Sequence, residues 1–381
     1  MTSYSQPLSF RHGPVLANRF MLAPLTNLQS HSDGTLSDDE INWLVMRAKG
    51  GFGAVMTAAA SVQRQGLGFT GQLGVYSDDH LPGLSRLAGL LRENGAVSSV
   101  QLHHAGMRSP RDQIDEAPQS AFADEATGTR ALSTAEVERL RDDFIAAALR
   151  CEKAGFDGVE VHGAHGYILA QFLDAENNRR EDRYGGSFEN RKRLILEIID
   201  GIRANAGEQF QIGLRLSPER FNVRLDEAKL LAEEVMTGGQ IDYLDMSLWS
   251  CFKEPEDEAF KGQPLIAHFT ALDRGETRLG VAGKIMDAAK VRACLDAGAD
   301  FVACLASGEY VAIECKQTTA RRFACSAISA VQEAHLDAVP RSFLALLIDG
   351  RRFLIPWREV PWVRLRTAES VTAADCAIWE L

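Results

Sequence analysis

His162, His165 and Tyr167 lie within seven residues, Val161-His-Gly-Ala-His-Gly-Tyr167, at the end of an apolar run. Two imidazoles spaced three apart, in a loop turning off a strand, could donate hydrogen bonds to one substrate oxygen. A phenol beside them is protonated at neutral pH and can act as a general acid. A metal-binding histidine pair, or two structural histidines, remains the alternative. Arg215 sits in the middle of Gly213-Leu-Arg-Leu-Ser217, which reads as a buried strand. A buried charge needs a partner, and Glu160 is one candidate. Gln101 ends another apolar run with an amide that can both donate and accept.

Eight short apolar runs could position these groups: 19–25, 53–57, 97–102, 157–161, 211–216, 241–246, 279–282 and 300–303. Helical spacing of apolar residues recurs at 41–49, 84–93, 135–153, 191–202, 228–235 and 288–297. Ser37 with Glu40, and Ser133 with Glu136, read as capping boxes. Alternating strands and helices of this number predict an α/β fold, a (β/α)8 TIM barrel over residues 1–303. The long segment 103–132 then emerges on the C-terminal face, where such barrels carry their active sites.

Gly155-Phe-Asp-Gly-Val-Glu-Val-His-Gly-Ala-His-Gly-Tyr-Ile-Leu-Ala-Gln-Phe-Leu173, continuing through Asn178-Arg-Arg-Glu-Asp-Arg-Tyr-Gly-Gly-Ser-Phe-Glu-Asn-Arg191, resembles the signature of the Old Yellow Enzyme family. Ala23-Pro-Leu-Thr26, Thr57-Ala58, Gln101-Leu-His-His-Ala-Gly106, Gly213-Leu-Arg-Leu-Ser217 and Gly280-Val-Ala-Gly-Lys-Ile285 agree in order, and the resemblance spans about residues 7–303. It implies FMN as cofactor, NAD(P)H as reductant, and ping-pong reduction of the C=C bond of α,β-unsaturated carbonyl compounds. Ala23, Pro24, Leu25, Thr26, Ala58, Gln101 and Arg215 would contact the flavin, and backbone amides near Ala282 and Gly283 its phosphate. His162 and His165 would polarise the substrate carbonyl, and Tyr167 would protonate the α-carbon. Trp249 could shape the substrate cavity or belong to the core. A flavin-free barrel aldolase or isomerase is the competing class, but Lys253 and Lys284, the lysines near strand ends, read as loop residues.

Beyond Ala303 the resemblance stops. The family's Gly-Arg pair for the FMN phosphate is replaced by Cys304-Leu-Ala-Ser-Gly308. Residues 304–381 therefore read as an atypical C-terminal segment, one role of which could be to complete the last βα unit. A divergent tail, a replaced segment and a reading-frame change all fit, and impaired FMN binding with little activity is a second expectation. The seven cysteines are irregularly spaced and read as free thiols, with no metal site. A formal charge of −11 and scattered basic residues argue against nucleic acid, and no run is long enough to span a membrane. The expectation is a cytoplasmic enzyme of small molecules, with a homo-oligomer left open.

Overall fold

A computed structural model describes residues 3–304, 311–318, 322–328, 341–359 and 370–377. The chain divides into two compact units, Met1–Ser307 and Gly308–Leu381. In the first, eight parallel strands close into a barrel in sequence order. They are β1 (Phe20–Leu22), β2 (Ala54–Ser61), β3 (Val97–His103), β4 (Gly158–Gly163), β5 (Gln211–Leu216), β6 (Tyr243–Ser247), β7 (Arg278–Ala282) and β8 (Phe301–Cys304). Both faces of such a sheet are covered, so strands β3, β4 and β5 are buried at every residue.

Six of the intervening helices follow the apolar periodicity: α1 (Asp38–Lys49), α2 (Leu81–Glu93), α3 (Thr134–Ala154), α5 (Phe188–Asn205), α6 (Leu225–Thr237) and α8 (Ala288–Asp296). Two others, α4 (Ile168–Leu173) and α7 (Ala267–Thr270), escape it, because one or two turns give no readable period. Ser133 and Glu136 form a reciprocal capping box on α3, which ends on left-handed Gly155. Ser37 also caps α1, but Glu40 does not reach back. Its buried carboxylate instead accepts from Ser30 Oγ and Asn27 Nδ2, which ties α1 to the loop after β1. Strand β2 runs four residues past the expected end at Thr57, with a register shift between Met56 and Ala59. The alanines that follow Thr57 carry little strand signal of their own.

The N-terminal end of the barrel is sealed by a short hairpin bridged at Leu8 and Leu16. Its Phe10 packs on Tyr243 and Phe301, the first residues of β6 and β8. Beside this plug, a Cβ on Gly213 would fall 2.1 Å from Tyr243 Cζ. Gly213→Ala should therefore lose roughly 1–3 kcal/mol, the usual cost of overpacking, in urea unfolding. An unchanged midpoint would mean that the Tyr243 ring can swing aside.

The second unit holds β9 (Val311–Thr318) parallel to β11 (Arg341–Ile348), which pairs antiparallel with β12 (Arg351–Pro356). Asp349 and Gly350 both have positive φ, as a two-residue hairpin turn requires. Burial alternates through Leu344, Leu346 and Ile348, then Phe353, Ile355 and Trp357, so these strands enclose a small apolar core of their own. A separate pair joins β10 (Arg322–Ala324) to β13 (Ser370–Thr372). The segment 305–308, on which the loss of the Gly-Arg pair turns, lies outside the described residues.

Candidate active site

The C-terminal ends of the strands form the mouth. His162 and Arg215 face each other in the β4–β5 register, and Arg215 and Asp245 in the β5–β6 register. The partner that the buried Arg215 requires is therefore Asp245, at 3.3 Å, rather than Glu160. Glu160 accepts instead from Gln101 Nε2 at 2.7 Å. Burial, reinforced by the Asp245 charge, pushes the Glu160 carboxyl up to about 8 against the pull of Arg215 and Gln101. Burial likewise raises Asp245, against the opposing field of Arg215.

After β4 the chain turns sharply into α4, and this turn places the two histidines and the tyrosine. Ala164 N–H donates to His162 Nδ1 at 3.2 Å, so the ring proton of neutral His162 sits on Nε2. His165 adopts φ +60, a left-handed conformation uncommon outside glycine, and its N–H donates to Ser217 Oγ at 3.1 Å. Its Nε2 lies 2.7 Å from Ser247 Oγ, so the direction of that hydrogen bond sets which ring nitrogen carries the proton. Ring centroids are 5.0 Å apart for His162 and His165, and 5.3 Å for His162 and Tyr167. His103 closes the group with its ring edge-on to Tyr167 at 4.3 Å. Gln72 Nε2 donates to His103 Nδ1 at 3.0 Å, leaving the His103 proton on Nε2, which meets no protein partner.

Burial favours the neutral form of His103, His104, His162 and His165. Burial, with the charges of neighbouring histidines and Arg108, pushes His103 down to about 3. Burial does the same to His104, and burial with Arg215 and Arg108 brings His165 to about 3. His162 is held well below the ordinary range by burial, His165, His103 and Arg215. Among the described residues, no group of three or more His, Cys, Asp or Glu side chains could hold a metal ion.

A cavity of about 280 Å³ opens over this cluster, lined by Arg108, His165, Tyr167, Ser247, Phe221 and Trp249 among others. Trp249 is 60% exposed, so it belongs to the cavity rim and not to the core. The guanidinium of Arg220 lies over its ring at 4.5 Å. Arg220, Phe221 and Asn222 all have positive φ, which bends the loop after β5 over the cavity.

The expected cofactor contacts fall around the same mouth. Ala23, Ala282 and Ala303 form a floor of small side chains at the ends of β1, β7 and β8, and Ala58 is buried at the β2 shift. Pro24 is half-buried, whereas Leu25 and Thr26 are exposed on the loop after β1. Gly283 has φ +150, and a Cβ there would lie 3.0 Å from Ser250 N, so only glycine lets the loops after β6 and β7 meet this closely. A flat ring system fits what is present: a floor without bulk, and a buried donor, His103 Nε2, that the protein leaves without a hydrogen-bond partner. Sequence reasoning missed Arg108, Ser217 and Ser247 as members of the site. Ser217 follows β5 and Ser247 ends β6, and their place at the catalytic ends of barrel strands was the available signal.

A closed (β/α)8 barrel with its titratable cluster at the C-terminal mouth has the architecture of the barrel enzymes. Residues 5–250 match the NADH:flavin oxidoreductase / NADH oxidase family, and the chain belongs to that family, the Old Yellow Enzyme group of FMN-dependent NAD(P)H oxidoreductases. The probable NADH-dependent flavin oxidoreductase YqiG of Bacillus subtilis (strain 168) is 37% identical over 254 residues, covering 64% of this chain and 68% of that protein. The NADH:fumarate oxidoreductase of Klebsiella pneumoniae (strain 342) is 32% identical over 329 residues, covering 81% of this chain but 35% of that larger protein. Among solved structures, morphinone reductase in complex with tetrahydroNAD superposes with a TM-score of 0.69 at 27% identity, over 80% of this chain and 86% of that one. The old yellow enzyme homologue from Zymomonas mobilis gives 0.70 at 25% identity, over 80% and 88%.

Proposed function

We propose that this chain is a cytoplasmic ene-reductase that reduces the C=C bond of small α,β-unsaturated carbonyl compounds. The observation that carries this reading is one cluster of His162, His165 and Tyr167 rings, of which His165 and Tyr167 line the cavity, with His162 locked to present an Nε2 proton. Ala23, Pro24, Leu25, Thr26, Ala58, Gln101 and Arg215 would hold FMN, with the amides of Ala282 and Gly283 near its phosphate. Bound FMN would supply the redox chemistry, taking hydride equivalents from NAD(P)H and passing them to the alkene.

The side chains have separable tasks. Arg215 keeps a fixed positive charge at the mouth, paired below with Asp245, and so favours an anionic neighbour. His162 Nε2–H donates to the substrate carbonyl oxygen. His165 adds a second donor when Ser247 donates to its Nε2 and leaves Nδ1 protonated. The Tyr167 hydroxyl gives its proton to the α-carbon. One cavity serves nicotinamide and enone in turn, so the two exclude each other and the kinetics are ping-pong. Residues 1–303 would carry this activity, and 304–381 form an atypical segment whose missing Gly-Arg pair weakens the hold on phosphate.

Phenols test the carbonyl site, because their oxygen stands in for the polarised carbonyl. Each of His162→Ala and His165→Ala should weaken phenol binding by roughly 1.5–3 kcal/mol, the worth of a hydrogen bond to a charged oxygen. Unchanged titrations in FMN-saturated variants would return the histidines to a structural role.

A further inference from the structure

We propose that Arg108 is an anion-binding residue of the catalytic cavity, and that the substrates proper to this enzyme carry a carboxylate beside the reducible enone. The inference rests on the carbonyl-binding role of His162 and His165 given above.

Four charged side chains line the cavity: Arg108, Glu219, Arg220 and Lys253. Three are already neutralised. Lys253 pairs with Glu219 and with Glu256, and Arg220 pairs with Glu256 at 3.1 Å. Arg108 forms no ion pair with any described carboxylate. Its side chain is nevertheless held in place: Nη1 donates to His165 O at 2.7 Å, and the guanidinium lies 4.9 Å from the centre of the Tyr167 ring. A guanidinium has five N–H donors, and one is used here. The others belong to an exposed group beside the proton donor and the carbonyl-binding pair.

An uncommitted arginine could serve solubility anywhere on the surface. This one is placed by two contacts to the catalytic turn itself, and its charge reaches both His103 and His165. A planar, bidentate anion is the ligand that a guanidinium recognises best. A carboxylate on the substrate supplies it, and would orient the alkene between Arg108 at one end and the two histidines at the other. A dinucleotide phosphate is the other anion within the enzyme's chemistry, and the experiment separates the two.

The probes are 3- and 4-hydroxybenzoate and the matching hydroxybenzamides, titrated calorimetrically into FMN-saturated protein. Each pair offers the same phenol oxygen to the histidines and differs in the charge offered to Arg108. In the native protein at least one acid should bind about tenfold or more tighter than its amide, a charge-assisted hydrogen bond's worth. Arg108→Gln should abolish that preference while leaving the amide's affinity nearly unaltered, and Arg108→Lys should keep part of it. Dissociation constants for NADH and NADPH should be the same in all three proteins. Equal binding of acid and amide in the native protein would overturn this inference alone, as would a preference that survives Arg108→Gln. Weaker binding of NADPH alone, or of both dinucleotides, would assign Arg108 to a dinucleotide phosphate instead and overturn the inference. Failure of every phenol to bind would bring down the carbonyl site itself, and this inference with it.

Discussion

Tyr167→Phe is expected to slow reduction of an enone by about 10²–10⁴-fold, the usual worth of a positioned general acid. Reduction of bound flavin by NAD(P)H should stay close to the native rate, because that half-reaction needs no proton from the hydroxyl. The substitution leaves the ring, and so its edge-on contact with His103 at 4.3 Å and its place under Arg108 are kept. Only the proton is removed. Stopped-flow measurement of the two half-reactions separates them. Equal slowing of both would show that Tyr167 shapes the cavity and does not donate.

The second large effect is a loss of stability in acid. His103, His104 and His165 fall to about 3 in the folded chain and His162 well below its ordinary value, whereas an unfolded imidazole titrates near 6.5. Lowered values of this kind contribute stability that is present above pH 6.5 and is lost as pH falls toward 3. The charges that act on His103, His162 and His165 are those of other histidines, Arg108 and Arg215, all of which disfavour protonation. Glu160 works in the opposite sense. Raised from 4.5 to about 8, it contributes stability that is full below 4.5 and is lost as pH rises toward 8. Between 4.5 and 6.5 four histidines oppose the raised carboxyls of Glu160, Asp245 and Glu40. Unfolding then takes up about one to three protons net, and stability should fall by roughly 1–4 kcal/mol per pH unit. The maximum should lie near pH 6.5, where urea unfolding gives the highest midpoint. Equal midpoints at pH 5 and 6.5 would mean that the histidines are solvated and not buried.

The barrel was legible because each of its parts is local. Runs such as 211–216 are apolar at nearly every position, and the helices between them keep a clear period. The turn after β4 was legible as a spacing, His162 to His165 to Tyr167. Its hydrogen-bond partners were not, because they arrive from other strands: Ser217 after β5, Ser247 at the end of β6 and Gln72 from the loop after β2. Arg215 announced that it needed a counter-charge, but the sequence suggested Glu160 and the structure supplies Asp245. That choice is set by the β5–β6 register, a property of the closed sheet. Glu40 shows the converse. It has the spacing of a capping box, but burial beside Ser30 and Asn27 gave its carboxylate better partners. In the tail, the strands around Asp349-Gly350 carry a readable alternation that the arginines and cysteines nearby obscured.

In the proposed reaction one cavity over bound FMN takes electrons from NAD(P)H and returns them to an enone. Anaerobic reduction of FMN-saturated protein with one equivalent of NADH or NADPH, followed by mixing with 2-cyclohexenone, tests it directly. The flavin absorbance near 450 nm should bleach, then return on mixing with the enone, with one equivalent of cyclohexanone formed. A flavin that stays bleached in the presence of the enone, or a protein that binds no FMN, would contradict it.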